Sequence, residues 1–381
     1  MMLYLAILTF LFWFAVWLDA KIGMRKIAKI EYITEDERLH HSGPLLSIIV
    51  AAKDEEEHIQ ASLQSQFKQT YSNIEWIVVN DRSTDRTGAI LEQLALTEPR
   101  LKIIHIKNLK EGWLGKNHAL YEGFLQSKGE FILFTDADII FKKDAIAKAI
   151  TYFQNHKIDH LTLAPNLKGS SFWTNAFISF FLFGFGFFKR PWKSNDQSSK
   201  SAIGIGAFNL LSRKAYEGIG THKKFKMRPD DDLMLGRQIK QSGKRQHLAL
   251  ALNHLQVEWY PDLHSALVGL EKNTFAGLFY SYFMVLFAIS GLFLSQLFPF
   301  IALFVTSGST QLAYALSILM LFLAYNETAN KMGKGANLYL IVFPITVLLF
   351  IYSIARATIL TNYRGGIIWR GTFYSIKDLK K

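Results

Sequence analysis

The stretch GEFILFTDADIIF, residues 129–141, places two carboxylates inside an apolar run. Charged carboxylates such as Asp136 and Asp138 are rarely buried unless they are paired or bound to a metal. On an extended strand end, residues i and i+2 point to the same side. Two carboxylates there can hold a hard divalent cation, Mg²⁺ or Mn²⁺, and leave coordination positions for diphosphate oxygens. The alternative is a solvated turn with an aspartate at a helix N-cap.

A second acidic group lies in RPDDDLMLGRQIKQSG, residues 228–243, where Asp230, Asp231 and Asp232 are adjacent. A carboxylate on a segment separate from the metal candidates can act as a general base that accepts a proton from a hydroxyl group. Repulsion among adjacent like charges favours such a base near neutral pH. The alternative is a cluster at a helix N-terminus, which the helix dipole would favour.

Alternating strand and helix patterns between residues 45 and roughly 260 predict the scaffold that positions these residues. The predicted strands lie within 45–55, 74–85, 101–106 and 131–138, and the predicted helices lie at 56–67, 86–96 and 115–128. This order predicts an α/β fold with a mostly parallel sheet, whose ligand site lies outside the carboxyl ends of the strands. Asp54, Asp81 and the Asp136/Asp138 pair fall at those ends.

The composition limits the classes of chemistry and of partner. The 381 residues carry a formal charge of +12, which favours an anionic partner: a membrane surface, a nucleic acid or a phosphorylated substrate. The chain contains no cysteine, which excludes disulfides, thiolate zinc sites and a cysteine nucleophile. Half of the residues are hydrophobic, and the apolar excess is concentrated at the two ends.

The N-terminal run, residues 1–18, is apolar and about long enough to cross a bilayer. A signal peptide is the competing interpretation, but the basic residues follow the run: Lys21, Arg25, Lys26 and Lys29. The positive-inside rule therefore predicts an anchor at residues 1–20 and a cytoplasmic domain after it.

The C-terminal third carries further apolar segments. Residues 275–325 contain no charge and can hold two spans, roughly 275–303 and 309–325. A loop with Lys331 and Lys334 precedes a third apolar stretch at 338–354. A full crossing by this stretch would place the basic tail, 361–381, outside, so either the stretch is re-entrant or the rule fails locally. The apolar segment at 170–190 is predicted to be a buried or interfacial helix, because its position inside the domain disfavours a full crossing.

Several motifs, in order along residues 45–250, resemble family 2 of the inverting glycosyltransferases. The motifs are SIIVAAKDEEEHIQASLQSQ, VVNDRSTDRT, GWLGKNHAL, FTDAD, GIGAFNLLSRKAY and RPDDDLMLGRQIKQSG. The resemblance implies a GT-A fold, a Rossmann-like mostly parallel sheet with helices, which the apolar segments supplement with N-terminal and C-terminal transmembrane helices. It also implies a nucleotide-sugar donor, Asp136 and Asp138 as metal ligands, and no nucleic-acid partner.

The resemblance assigns further roles. Register with the acidic motif selects Asp232 as the catalytic base, with Asp231 as the second choice. Asp81 corresponds to the aspartate that contacts the nucleobase, although an Asx-turn is its alternative. Ala51 and Asp54 belong to the nucleotide-binding loop, where Asp54 can instead belong to an acidic first helical turn. Lys116 can approach the diphosphate as a point charge, against the alternative of a surface lysine.

Motifs that follow the acidic motif distinguish subtypes within the family. Processive polysaccharide synthases carry Gln-x-x-Arg-Trp after the base, but here Gln256 is followed by Val257, Glu258 and Trp259, without the arginine. The ending YRGGIIWRGTFY resembles hopanoid-associated and carotenoid-glycosylating enzymes, which implies a membrane lipid acceptor. Family membership implies a UDP-sugar as the donor. The predicted organisation is an anchor, a catalytic domain at 44–260, membrane or interfacial helices at 270–360, and the tail. The alternatives are a polyprenyl-phosphate glycosyltransferase and a non-catalytic lipid-binding scaffold.

Overall fold

The computed structural model describes residues 1–369 and 371–379, so Arg370, Lys380 and Lys381 of the predicted tail lie outside the described residues. The described chain divides into two compact units. The first, here called the sheet unit, comprises residues 27–166 and 191–257. The second, called the helical unit, comprises residues 1–26, 167–190 and 258–381.

The strands are β1 (Ala28–Lys29), β2 (Leu46–Ala52), β3 (Ile74–Asp81), β4 (Leu101–Ile106), β5 (Phe131–Asp136), β6 (Ile140–Phe141), β7 (His160–Ala164), β8 (Asn166–Gly169), β9 (Asn209–Ser212), β10 (Gln246–Leu250), β11 (Leu255–Tyr260), β12 (Gly366–Trp369) and β13 (Thr372–Ser375). The α-helices are α1 (Met2–Met24), α2 (Leu39–Ser42), α3 (Ile59–Phe67), α4 (Thr87–Ala95), α5 (Gly115–Leu125), α6 (Ala145–Asn155), α7 (Phe172–Lys189), α8 (Arg213–Gly218), α9 (Asp231–Gln241), α10 (Leu263–Gly277), α11 (Tyr282–Leu292), α12 (Phe298–Val305), α13 (Gly308–Met332), α14 (Phe343–Arg364) and α15 (Ile376–Leu379). A π-helical segment, Phe293–Leu297, joins α11 to α12, and a 3₁₀ helix, Ala336–Val342, precedes α14.

The sheet unit is built on an eight-stranded sheet with the order β1-β10-β7-β9-β5-β2-β3-β4. All neighbours are parallel except β9, which runs antiparallel to both β5 and β7. The prediction of an α/β fold with a mostly parallel sheet is confirmed. The four strands predicted from the sequence are β2, β3, β4 and β5, and they are neighbours at one side of this sheet.

Several element boundaries differ from the prediction, and one of them affects the site. Strand β5 ends at Asp136, and Ala137 and Asp138 form a turn instead of extending the strand. The argument that Asp136 and Asp138 share one side of an extended strand therefore does not apply. Helix α3 begins at Ile59, three residues later than predicted, because Glu55 and Glu56 make loop contacts instead: their backbone N–H groups donate to Thr87 and Asp85.

Close packing of α5 on the sheet fixes the position of the site residues that α5 carries. The β2 positions from Leu46 to Val50 are all buried, as expected for a parallel strand covered on both faces. A Cβ on Gly123 of α5 would lie 2.6 Å from Ile49 Cγ2 and 3.1 Å from Val79 Cγ2. The absence of a side chain at Gly123 thus allows α5 to lie directly on β2 and β3.

The helical unit contains segments of membrane-spanning length. Among the described residues, five segments are long and apolar enough to cross a bilayer: Met2–Met24, Phe172–Lys189, Tyr282–Val305, Gly308–Met332 and Ala336–Arg364. Helix α1 is tied to its neighbours by Trp13 Nε1, which donates to the Ser295 carbonyl at 2.8 Å, and by Ser317 Oγ, which donates to the Ala6 carbonyl at 3.3 Å. Lys331, predicted to lie in a loop, is in the last turn of α13.

Candidate active site

An ion pair between Lys116 and Asp136 lies at the centre of the candidate site. Lys116 Nζ is 2.6 Å from Asp136 Oδ1 and 3.8 Å from Asp231 Oδ2. The lysine is in the first turn of α5, Asp136 ends β5, and Asp231 begins α9. Three elements distant in sequence thus converge at the carboxyl edge of the sheet. Only 24% of the Lys116 side chain is exposed, so the alternative of an ordinary surface lysine is wrong.

The charged groups of this cluster change the pKa values of Lys116 and Asp232. Burial alone would lower the pKa of Lys116, but the carboxylates of Asp136, Asp231 and Asp232 together raise it. The pKa of Asp232 is also raised, first by displacement of water around its carboxyl group and further by the charge of Asp136, while Lys116 opposes the rise. Three carboxylates thus lie close enough to one ammonium group to raise its pKa.

Gly206 connects the Asp136 and Asp232 positions through its backbone. The N–H of Asp136 donates to the Gly206 carbonyl at 3.2 Å, and the N–H of Gly206 donates to Asp232 Oδ2 at 2.9 Å. A Cβ on Gly206 would lie 2.5 Å from Asp136 Oδ2. The other oxygen of Asp232, Oδ1, accepts from the N–H of Leu233 at 2.7 Å. Asp232 is thus oriented by two backbone donors.

The carboxylates around Asp136 can supply part of the coordination shell of a divalent cation. Both Asp136 and Asp138 are partly exposed, and their oxygens are the hard ligands that Mg²⁺ and Mn²⁺ take. Within residues 1–369 and 371–379, no group of three or more His, Asp or Glu side chains has a metal-binding arrangement. Mg²⁺ is commonly bound by two carboxylates, with phosphate oxygens and water completing its coordination shell. A resident site made of protein ligands alone does not fit.

Three predicted nucleotide contacts lie at the same edge of the sheet. Ala51 of β2 is in register with Asp136 of β5. The carboxylate of Asp81, 3% exposed at the end of β3, accepts from Arg82 Nε at 2.8 Å and from Arg82 Nη2 at 3.0 Å. Asp54 is exposed with φ of 53°, and its Oδ1 accepts from the Thr84 N–H at 2.7 Å. Asp54 thus joins the loops after β2 and β3, a structural role that the sequence did not indicate.

Asn117 is a site-forming residue that the sequence analysis missed. Its Nδ2 atom donates to the carbonyls of Phe225, Lys226 and Arg228 at 3.2, 3.1 and 2.9 Å. The backbone N–H of Leu114 also donates to the Lys226 carbonyl, at 2.9 Å. The start of α5 therefore holds the basic loop that leads into Asp230–Asp232. The only available signal was its place next to Lys116, since one asparagine in a helix is otherwise uninformative.

This combination of a mostly parallel sheet, one antiparallel strand and an acidic edge is the GT-A architecture. The mannosyltransferase PcManGT from Pyrobaculum calidifontis, determined in complex with GDP-Man and Mn²⁺, shares this fold with a TM-score of 0.59 and 16% sequence identity. The match covers 95% of this chain and 99% of that chain.

Residues 47–220 match the family model described as Glycosyl transferase family 2. An uncharacterized glycosyltransferase of Haemophilus influenzae is 40% identical over 119 residues, 31% of this chain and only 35% of that relative. The 4,4'-diaponeurosporenoate glycosyltransferase of Staphylococcus aureus (strain MRSA252) is 23% identical over 356 residues, 89% of this chain and 90% of that relative. Asp230–Asp232 lie beyond the residues that the family model covers.

Proposed function

We propose that the protein is an inverting glycosyltransferase that moves a sugar from a nucleotide-sugar, a UDP-sugar, to a membrane lipid acceptor at the cytoplasmic face of the bilayer. The observation that carries the proposal is the convergence of Lys116, Asp136, Asp231 and Asp232 at the carboxyl edge of the sheet. The family 2 domain supports transfer of a glycosyl group. The five long apolar helical segments support association with a membrane.

Asp232 is the proposed general base. Inversion requires one group that takes the proton of the acceptor hydroxyl while the hydroxyl oxygen attacks the anomeric carbon opposite the departing nucleoside diphosphate. The raised pKa of Asp232 makes its carboxylate a stronger base than an exposed aspartate. Hydrogen bonds from Gly206 and Leu233 hold the carboxylate in one orientation, which reduces the reorganisation needed before proton transfer.

The leaving nucleoside diphosphate gains negative charge, and positively charged groups must stabilise it. Asp136 and Asp138 would hold Mg²⁺ or Mn²⁺, which supplies Lewis-acid stabilisation of the leaving diphosphate when bound. Lys116, already positioned against Asp136, adds a fixed positive charge at the place where phosphate oxygens would lie. Ala51, Asp54 and Asp81 are proposed to contact the nucleotide. For Asp81 this requires that the nucleotide share or replace the Arg82 contact.

The proposal of a lipid acceptor is supported by one relative and by exposed apolar side chains on the helical unit. The Staphylococcus aureus relative, which aligns over 89% of this chain, is named for a glycosyltransfer to 4,4'-diaponeurosporenoate. Large apolar side chains are exposed on the helical unit, among them Phe283, Leu286, Phe287 and Phe304. Such surfaces are expected where a chain meets lipid.

The test is sugar transfer by the full chain in membranes, with radiolabelled UDP-, GDP- and TDP-sugars and native lipid extract. Asp232→Asn is expected to lower transfer by about 10²–10⁴-fold, the usual contribution of a general base. Asp230→Asn is the matched control, because Asp230 pairs with Arg228 on the neighbouring loop and is expected to retain most activity. A chelator is expected to abolish transfer and added Mn²⁺ or Mg²⁺ to restore it.

Equal activity of Asp232→Asn and the unsubstituted protein would contradict the assignment of the base. Labelled product that is released by mild acid as a free sugar, with a phosphate-linked lipid left behind, would favour the polyprenyl-phosphate acceptor instead. Absence of transfer from every donor, together with absence of nucleotide-sugar binding, would favour the non-catalytic scaffold.

A further inference from the structure

A charged cluster in the helical unit consists of residues to which the proposed sugar transfer assigns no role. Glu271 of α10 accepts from Arg356 Nη1 at 2.7 Å through Oε2 and from Arg364 Nη1 at 2.6 Å through Oε1. Only 9% of the Glu271 side chain is exposed, against 21% for Arg356 and 34% for Arg364. The carboxylate thus holds two guanidinium groups beside each other at the end of α14.

The cluster carries an excess positive charge. One carboxylate faces two guanidinium groups, so their charges sum to +1. An ion pair that is largely removed from water adds little net stability over apolar packing, and an uncompensated charge there is costly. Each guanidinium has five N–H donors, and the contacts to Glu271 use one nitrogen of each. The remaining donors of the two forks can bind a second oxyanion, since arginine recognises carboxylate and phosphate groups in this way.

The surroundings of the cluster indicate a lipid environment. The candidate span Ala336–Arg364 has no charged residue before Arg356, so both arginines lie in its last part, within about 12 Å of the helix end. The same end of α14 exposes Ile359 and Tyr363, and the β12–β13 hairpin that follows exposes Ile368 and Phe373. Basic side chains beside exposed apolar and tyrosine side chains are typical of the boundary between the hydrocarbon and the headgroups.

We propose that Arg356 and Arg364, gathered by Glu271, form a binding site for the phosphate of an anionic membrane lipid. Glu271 holds the two guanidinium groups together in the free protein, and the lipid phosphate supplies the second negative charge. The proposal rests on the membrane location of the helical unit but not on the identity of the catalytic base or the sugar donor.

The test uses the full chain purified in a mild non-ionic detergent, to which phosphatidylglycerol, phosphatidylcholine or inorganic phosphate is added. The readouts are the melting temperature and the number of retained lipids in native mass spectrometry. Phosphatidylglycerol is expected to raise the melting temperature and to remain bound, because a ligand that binds only the folded state stabilises it. Phosphatidylcholine and inorganic phosphate are expected to do neither, the first for lack of net charge and the second for lack of acyl chains.

Variants separate lipid binding from a purely structural ion pair. Arg356→Gln and Arg364→Gln are each expected to weaken phosphatidylglycerol binding about tenfold, since each removes charge-assisted hydrogen bonds. Glu271→Gln is expected to strengthen the binding, because it removes the competing negative charge while the glutamine amide oxygen can still accept from a guanidinium group and keep the arginines in place. Lys331→Gln, which breaks the Lys331–Glu327 pair on α13, is the matched control and is expected to leave binding unchanged.

The decisive result is that Glu271→Gln and the arginine substitutions change phosphatidylglycerol binding in opposite directions. If the cluster were only a structural ion pair, substitution of either partner would have the same effect. Unchanged phosphatidylglycerol binding in Arg364→Gln, or equal losses in Arg364→Gln and Glu271→Gln, would overturn the proposal. Equal stabilisation by inorganic phosphate would overturn the lipid assignment. If the glutamine variants fail to fold, Arg364→Lys keeps the charge without the fork and is expected to weaken binding by a smaller factor. Asp232→Asn is expected to bind lipid normally, so failure of the catalytic proposal would leave this one intact.

Discussion

At the scale of single residues, the arrangement around Lys116 depends on interactions between charged groups. The lysine lies close to Asp136 and Asp231, and its charge also lowers the pKa of Asp232 relative to the effect of burial. The sequence predicted Lys116 and Asp136 as part of the donor site and Asp231 and Asp232 as candidates for the catalytic base. It did not indicate that Lys116 pairs with Asp136, because the two are 20 positions apart and belong to different elements. Only the packing of α5 on the sheet brings them together.

Lys116→Gln is expected to lower sugar transfer by about 10²-fold or more, because it removes a fixed positive charge where phosphate charge would develop. Lys116→Arg is expected to retain part of the activity, since it keeps the charge in a different geometry. The measurement is the initial rate of transfer with the donor identified in the assay above. Lys102→Gln is the control, because Lys102 is on β4 and donates to Gln126 at 2.7 Å, away from the cluster. Equal rates for Lys116→Gln and Lys102→Gln would contradict the role of Lys116.

At the scale of elements, the sequence predicted the strands that end at the site better than those that complete the sheet. Strands β2, β3 and β5 are continuous apolar runs, and their patterns identify them as buried strands. Strand β9 has only four residues, and its antiparallel position between β5 and β7 depends on contacts distant in sequence. The turn after Asp136 was missed for another reason: Ile139 and Ile140 continue the apolar pattern past the end of the strand.

His160 joins three of the strands that the sequence did not predict. Its Nε2 lies 3.0 Å from Asn209 Oδ1 of β9, and its Nδ1 lies 2.7 Å from Gln246 Nε2 of β10. This pattern suits the neutral imidazole, with Nε2–H donating and Nδ1 accepting, because a second proton would face an amide N–H. Burial lowers the pKa of His160 to about 4, although the hydrogen bond to Asn209 opposes the shift.

The free energy of unfolding is therefore expected to fall as the pH drops from about 6.5 towards 4. Over this range the unfolded chain binds a proton at His160 and the folded protein does not, so acid favours unfolding by about 1.4 kcal/mol per pH unit. Above pH 6.5 the contribution of His160 is fully present and constant. The check is the urea midpoint of the purified protein in detergent at several pH values, compared with His160→Gln. The variant is expected to be less stable at neutral pH but to lose less stability on acidification, and parallel pH profiles would contradict the prediction.

At the scale of the whole molecule, chain connectivity limits what the apolar helices can do. Helix α7 is long and apolar enough to span a bilayer, but half of it is buried within the protein. The chain forms β7 before α7 and β9 after it, and these two strands pair in one sheet through His160, Leu161 and Thr162. A full crossing by α7 would place paired strands on opposite sides of the membrane. We therefore predict, as from the sequence, that helix α7 begins and ends at the same face of the membrane.

The absence of native cysteine makes this topology directly measurable, because each introduced cysteine is the only thiol in the chain. Asn108→Cys precedes α7 and Ser198→Cys follows it, both at exposed positions of the sheet unit. We expect a membrane-impermeant maleimide to label both from the same side of sealed vesicles of known orientation, the side that corresponds to the cytoplasm. Ser307→Cys, exposed between two candidate spans, is expected to be labelled from the other side. Labelling of Asn108→Cys and Ser198→Cys from opposite sides would require that the sheet does not form in the membrane-bound protein. Labelling of all three from one side would instead mean that the segment Tyr282–Val305 does not cross the bilayer.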